Sequence, residues 1–191
     1  MTNKNMKGIS RRLLALDQKI HDIARPYADL PPMRLLERIG KAGDQPPMLS
    51  LSAAVLATGL LSERPRMMFA GTRMIAAHLI ATAAKNVVKR QIDRERPAPR
   101  LDGKAPHPRP GKRSSKRMTG FPSGHTAGSI AVARAFGRAY PEHAAKAAGV
   151  AGLVAVAQVA RRKHYLTDVL AGLAIGLASE AALTRLVPVR R

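Results

Sequence analysis

The sequence predicts an all-α protein, a helical bundle of about six helices. Three observations predict it. No stretch alternates apolar and polar residues with the two-residue period of a half-buried strand. Apolar residues recur instead at spacings of three and four, or fill long Ala- and Gly-rich runs. Pro and Gly fall between those runs, where helix ends belong.

Met1 to Gly8 is basic and expected to be disordered. From there Ile9, Leu13, Leu16, Ile20 and Ile23 form one helical stripe with Arg11, Arg12 and Lys19 off it. Such a basic amphipathic helix suits an anionic bilayer surface, and equally a seat on the bundle. Pro31-Pro32 opens a short second helix with Leu35, Leu36 and Ile39 inward, ended by Gly40 or Gly43. After Gln45-Pro46-Pro47, residues 48–62 read as the first strongly apolar helix, and the link 63–66 is short enough to force an antiparallel turn. Met67 to about Arg90 reads as one long helix, with His78 as an interior histidine whose ring is satisfied and Lys89 near the C-terminal lip. Residues 89–117 carry 11 Lys or Arg against three acidic residues, and Pro97, Pro99, Pro106, Pro108 and Pro110 argue against regular structure there. This loop reads as an electrostatic funnel for anions, with Lys112 to Arg117 as steering groups. Two helices then run from Ser123 to about Tyr140 and from Ala144 to Arg161, and a last one from Leu166 to Val187 stops at Pro188. The chain divides into an N-terminal segment, 1–44, and a bundle, 45–191, that includes the basic Pro-rich loop at 89–120. No internal repeat is present.

A chain of 191 residues fits one domain. Absence of Cys excludes disulfides, thiolate catalysis and Cys-zinc sites. With three Phe, three Tyr and no Trp, platforms for stacking nucleobases are scarce, so no nucleic-acid partner is expected. The net charge of +21 nevertheless calls for an anionic partner. Gln45 to Ser62 is an 18-residue window free of charge, while Ala147 to Ala160 and Val169 to Ser179 are shorter runs; hydropathy alone fits a membrane and a soluble protein equally. Met1 to Ser10 is polar, so no secretory signal is expected.

Three clusters carry chemistry. Phe121-Pro122-Ser123-Gly124-His125-Thr126 places an N-capping Ser and a small Gly at a helix start, where exposed N–H groups make an anion site. Lys89 is followed after six residues by Arg96-Pro97, and His164 four residues later by Asp168. If successive helices run antiparallel, Lys89, Arg96, Ser123, His125, His164 and Asp168 fall on one face of the bundle. Arg96 matches phosphate geometry with its fork, Lys89 adds a second cation, and Asp168 is close enough in sequence to hold the His164 ring. Asp168 also suits the first turn of a helix capped by Thr167. Acidic residues are too few and too scattered for a two-metal site.

In these residues, over roughly Leu35 to Gly176, the chain resembles the type 2 phosphatidic acid phosphatase superfamily, which also holds bacterial acid phosphatases and vanadium haloperoxidases. The resemblance implies a membrane-embedded bundle, integral to a bacterial-type inner or cell membrane. It implies hydrolysis of a lipid phosphomonoester or diphosphate, of the phosphatidate or polyprenyl diphosphate type, without cofactor or metal. His164 would be the nucleophile, forming a phosphohistidine, His125 the general acid and Asp168 the partner of His164. Lys89, Arg96, Ser123 and Gly124 would hold the phosphate. One departure stands out: where the family pattern has Ser-Arg six residues before the nucleophile, this chain has Ala157 and Gln158. Gln158 itself, or Arg161 or Arg162 reaching back along the helix, is then the candidate for the missing contact. The departure also admits a weakened or inactive member of the family, while the charge alone would admit a nucleic-acid-binding protein. A vanadate-binding haloperoxidase suits the short apolar chain less well.

Overall fold

A computed structural model describes residues 3–27, 30–97, 108–111 and 118–188, and for 3–10 the backbone only. Seven α-helices make up the described chain: α1 Asn3–Ala24, α2 Pro31–Ala42, α3 Gln45–Leu61, α4 Pro65–Lys89, α5 Gly124–Ala139, α6 Ala144–Ala160 and α7 Leu166–Leu186. Prolines open α2, α3 and α4, where the missing N–H is one the helix leaves unpaired anyway. The first helix starts at Asn3, so the expected disorder of Met1 to Gly8 gives way to helix over its described part.

The segment after α4 also departs from expectation. Strand β1, Ile92–Asp93, pairs antiparallel with β2, Arg109–Pro110, and Arg94 bridges to Thr119. The pairing stays short because Pro110 has no N–H to extend it. The proposed steering groups, Lys112 to Arg117, lie outside the described residues.

Helix α5 is the axis of the bundle, packing on α4, α6 and α7. Its sequence permits this, since Ala127, Ala131 and Ala135 are completely buried and present only a methyl to their neighbours. On α7, Gly172 and Gly176 let the backbone of α5 come close: a Cβ at Gly172 would stand 2.5 Å from Ser123 O, and one at Gly176 2.7 Å from Ala127 O. Around them Met48, Met74, Ala77, Ala81, Val132 and Leu183 complete a core of small and flexible side chains. Bulky residues lie outside instead: Leu61, Leu79, Val150, Leu153, Val156 and Leu186 are exposed.

Such an arrangement suits a lipid environment, and three helical segments are long and apolar enough to cross a membrane: Pro65–Lys89, Pro141–Ala160 and Leu166–Leu186. The charge-free window singled out in the sequence, Gln45 to Ser62, forms the shorter α3. The runs at 147–160 and 169–179 underestimate their helices because flanking polar residues remain helical.

The N-terminal helices are not passive. Helix α2 lies along α6, and α1 reaches α7. Yet the apolar stripe of α1 is not what docks: Leu13 and Leu16 are each 41% exposed and Ile23 59%. The bundle receives Asp17 instead, which is fully buried. An outward apolar stripe favours the bilayer-surface reading over a seat on the bundle.

At the end of the bundle away from the α4 C-terminus, Glu180 of α7 is buried against arginines of two other helices. Its carboxylate lies 3.4 Å from Arg73 on α4 and 3.2 Å and 3.6 Å from Arg138 and Arg134 on α5. Thr184 donates to the same oxygen at 2.6 Å, and Arg73 also donates to Val187 O. Charge buried between helices is tolerated only in such company.

The glycine contacts give a direct check. Gly172→Ala is expected to lower stability by about 1–3 kcal/mol, the usual cost of an extra group in a filled interface. Gly149→Ala, inside α6 where a Cβ meets nothing within 4 Å, should instead raise stability by about 0.5–1 kcal/mol, the gain in helix propensity. Thermal unfolding of the two variants in one detergent compares them.

Candidate functional site

Five of the residues read from the sequence meet at one end of the bundle. Lys89, Arg96, Gly124, His125 and His164 line a single cavity of about 240 Å³, with Ser123 and Asp168 fully buried behind them. Lys89 ends α4, and its ammonium donates to Thr119 O at 2.9 Å, which holds the basic loop against the helix lip. Arg96 is half-buried, and its Nε has no hydrogen-bond partner among the described residues.

Ser123 is the N-cap of α5, as its residue type suggests. Its hydroxyl accepts from Thr126 N at 3.4 Å and from the Thr126 hydroxyl at 3.1 Å. That engagement turns its side chain into the helix turn rather than onto the cavity wall. Gly124 and His125 follow as the first two helical residues, so the amide end of α5 opens at the cavity. The backbone N–H of Ser123 donates to Asp168 O at 2.9 Å, locking the start of α5 to the start of α7.

His164 sits in the link between α6 and α7 and is 2% exposed. Its Nδ1 lies 2.7 Å from Gly120 O. A carbonyl oxygen only accepts, so Nδ1 carries the proton and Nε2 keeps its lone pair. Nε2 is buried with no hydrogen-bond partner among the described residues, and the ring centroid stands 6.2 Å from that of His125. The tautomer is therefore fixed by Gly120, and not by Asp168, whose Oδ2 is 3.7 Å from Nδ1. Burial pushes His164 below the ordinary histidine range; the nearby Asp168 carboxylate pulls the other way, while Arg96 and Lys89 add to the lowering.

Asp168 has two other tasks. Its Oδ2 accepts from Tyr165 N at 2.8 Å, so Tyr165 occupies the capping position of α7 that the sequence suggested for Thr167. Its Oδ1 takes a hydrogen bond from Arg94 at 2.5 Å. The same guanidinium reaches Asp17 of α1 at 2.7 Å and Thr167 at 2.6 Å, and lies over the Tyr165 ring. Asp17 in turn accepts from the Thr167 amide at 2.9 Å.

Arg94 and Asp17 were not singled out in the sequence, although Asp17 left a trace: it stands four residues after Leu13 and three before Ile20, inside the apolar stripe. Asp44, between α2 and α3, was also missed. Its Oδ1 lies 2.6 Å from His125 Nε2, and no local pattern links those two residues. Lys85, one turn before Lys89, lines the same cavity, and so does His78. Neither ring nitrogen of buried His78 has a hydrogen-bond partner among the described residues, contrary to the expectation of a satisfied interior histidine. Its neighbour there is Gly128, where a Cβ would come within 2.8 Å of the ring.

The departure residues face elsewhere. Gln158 is buried and donates to Gly40 O of α2 at 3.3 Å. Arg161 donates to Glu37 at 2.8 Å, and its charge is the main reason the Glu37 carboxyl is lowered. Arg162 adopts φ 53° and turns toward His21, at 3.5 Å. Gln158 and Arg161 line an adjoining cavity of about 190 Å³ that shares Asp44, Arg96 and His125 with the first. Among the described residues no group of three His, Asp or Glu is placed to hold a metal ion.

This geometry agrees with what comparison finds. No curated protein matches the chain. Among solved structures, LpxE of Aquifex aeolicus is similar to it with a TM-score of 0.66 at 19% identity, over 90% of this chain and 94% of the other. A transmembrane PAP2-type phosphatidylglycerolphosphate phosphatase from Bacillus subtilis is similar with a TM-score of 0.60 at 18% identity, over 100% of this chain and 90% of the other. The PAP2 superfamily matches residues 70–191, which hold Lys89, Arg96, the Ser-Gly-His turn and the His164–Asp168 pair. That match spans more than half of the sequence, and the chain belongs to the PAP2 superfamily.

Proposed function

We propose that the protein is an integral membrane phosphatase, in a bacterial-type inner or cell membrane, that hydrolyses a lipid phosphomonoester or diphosphate through a phosphohistidine on His164. The observation that carries this reading is His164, whose buried Nε2 has no hydrogen-bond partner among the described residues and whose side chain lines a cavity ringed by cations and a helix N-terminus. The structural neighbour named as a phosphatidylglycerolphosphate phosphatase supports the same class of reaction.

In this reading, Lys89, Arg96 and the N–H groups of Gly124 and His125 hold the non-bridging phosphoryl oxygens. His164 Nε2 attacks phosphorus in line while the bond to the lipid oxygen breaks. His125 gives that oxygen its proton, and the lipid alcohol or monophosphate leaves. Water then attacks the phosphohistidine, returns a proton to His125 and releases phosphate, so His164 ends neutral as it began. The 6.2 Å between the ring centroids leaves room for a phosphoryl group between nucleophile and acid. Asp168, held by Arg94, steadies the His164 segment through Tyr165 and the backbone of Ser123. Gln158, bound to Gly40, supplies no charge to the phosphate. That contact favours, as a second reading, a member of the family with weakened turnover.

Phosphate release from a panel of lipid phosphates in detergent separates these readings. Wild type should release phosphate, and His164→Ala should lose about a thousandfold or more with unchanged helicity, as nucleophile deletions do; His125→Ala should fall with it. Wild-type release no faster than that of His164→Ala would mark the site as inactive. His164 acts neutral and its buried ring resists protonation, while His125, pushed down to about 4 chiefly by burial, gains the proton it must give as pH falls, so kcat/KM should hold or rise as pH falls to 6.5. An acid limb centred above 6.5, after allowance for the substrate's own ionisation, would count against the assignment. With two imidazoles and fixed cations performing the chemistry, dialysis against chelator should leave the rate unchanged, and a rate restored only by added divalent ion would refute the mechanism.

A further inference from the structure

The geometry points to Lys85 as a further phosphate-binding cation of this site. This rests on the phosphatase reading above and names a residue the sequence motifs do not contain. Along α4, His78, Thr82, Lys85 and Lys89 follow at intervals of four, three and four, so they share one helix face, and all four line the cavity that holds His164. The rest of that helix is apolar enough to cross a membrane, and an ionisable residue in such a segment marks a functional path far more often than a packing role.

The position of the ammonium is fixed by its neighbour. A Cβ built on Gly124 would stand 3.1 Å from Lys85 Nζ, so the charge hangs directly over the first residue of α5. That is where the amide end of α5 opens, and where a bound phosphoryl oxygen would sit. Any larger residue at 124 would meet Lys85, which gives the Gly a reason beyond backbone freedom.

Charge supports the same assignment. Among the described residues, the cavity wall carries Lys85, Lys89 and Arg96 together with one carboxylate, Asp44, which is engaged with His125. A phosphoryl group seated there would face all three cations. The position at which the resemblance expects a guanidinium holds Gln158, bound to Gly40 O. Lys85, on α4, would supply a third cation to the cavity instead.

The test is titration of the full-length protein in detergent with orthovanadate, followed by calorimetry, beside phosphate release from the lipid panel. Lys85→Met keeps the length of the side chain and removes the charge; Lys85→Arg keeps the charge. Lys85→Met is expected to weaken orthovanadate binding by about ten- to a hundredfold, the worth of one charged hydrogen bond, and to raise KM for the lipid phosphate in step. Lys85→Arg should stay within about threefold of wild type, a rescue that a mere packing role does not predict. Equal orthovanadate affinity in wild type and Lys85→Met, or no orthovanadate binding by wild type at millimolar concentration, overturns the assignment. If wild type binds orthovanadate in a Lys85-dependent way but hydrolyses no lipid phosphate, the phosphatase reading fails and Lys85 stands as an anion ligand.

Discussion

The site depends on one buried guanidinium. Arg94 is 1% exposed and holds Asp17 of α1 with one nitrogen and Asp168 of α7 with the other. Two carboxylates buried without a cation would be intolerable, and a cation buried alone equally so. The triad is therefore an all-or-none clamp, and through it the N-terminal helix, the basic loop and the α7 start are fixed relative to each other. Asp168 then passes that order on, accepting from Tyr165 N beside His164 and receiving the Ser123 amide at its carbonyl. Remove this clamp and the imidazole, the α5 amides and the loop that carries Arg96 lose their common reference.

Much of the fold could be read from local signals because helices announce themselves locally. Pro-Pro pairs opened α2 and α3, Ser123 capped α5 through its own hydroxyl, and the turn at Pro141 separated α5 from α6. The gathering of Lys89, Arg96, His125 and His164 followed from antiparallel order alone, since alternate helix ends must share a face. What escaped was everything that depends on partners far apart in the chain. Asp44 and His125 are 81 residues apart in numbering, and Arg94 and Asp17 are 77 apart; neither pair leaves a spacing to recognise. The Gly120 carbonyl that sets the His164 tautomer is backbone and therefore silent in the sequence. Lys85 was visible as a polar residue at helical spacing from Lys89, but only the cavity gives that spacing meaning.

The same separation explains how a chain of net charge +21 can be apolar where it crosses a membrane. Small residues fill the interior so that polar groups fit between helices, and leucines and valines turn outward. Among the described residues, Lys85, Lys89 and Arg96 gather at the cavity by the C-terminal lip of α4. In the proposed reaction, an anionic headgroup drawn to that end would meet Lys89 and Arg96 beside a ring nitrogen with no hydrogen-bond partner among the described residues. Attraction, seating and reaction would then share one set of charges.

The Glu180 cluster has a consequence for biogenesis. Arg73, Arg134 and Arg138 meet the Glu180 carboxylate only when α4, α5 and α7 stand together. Threaded singly into hydrocarbon, α4 would carry a bare guanidinium and α7 a bare carboxylate, each an expensive passenger. Burial of these helices is therefore coupled: α4, made before α7, finds the carboxylate that compensates Arg73 only once α7 has packed beside it.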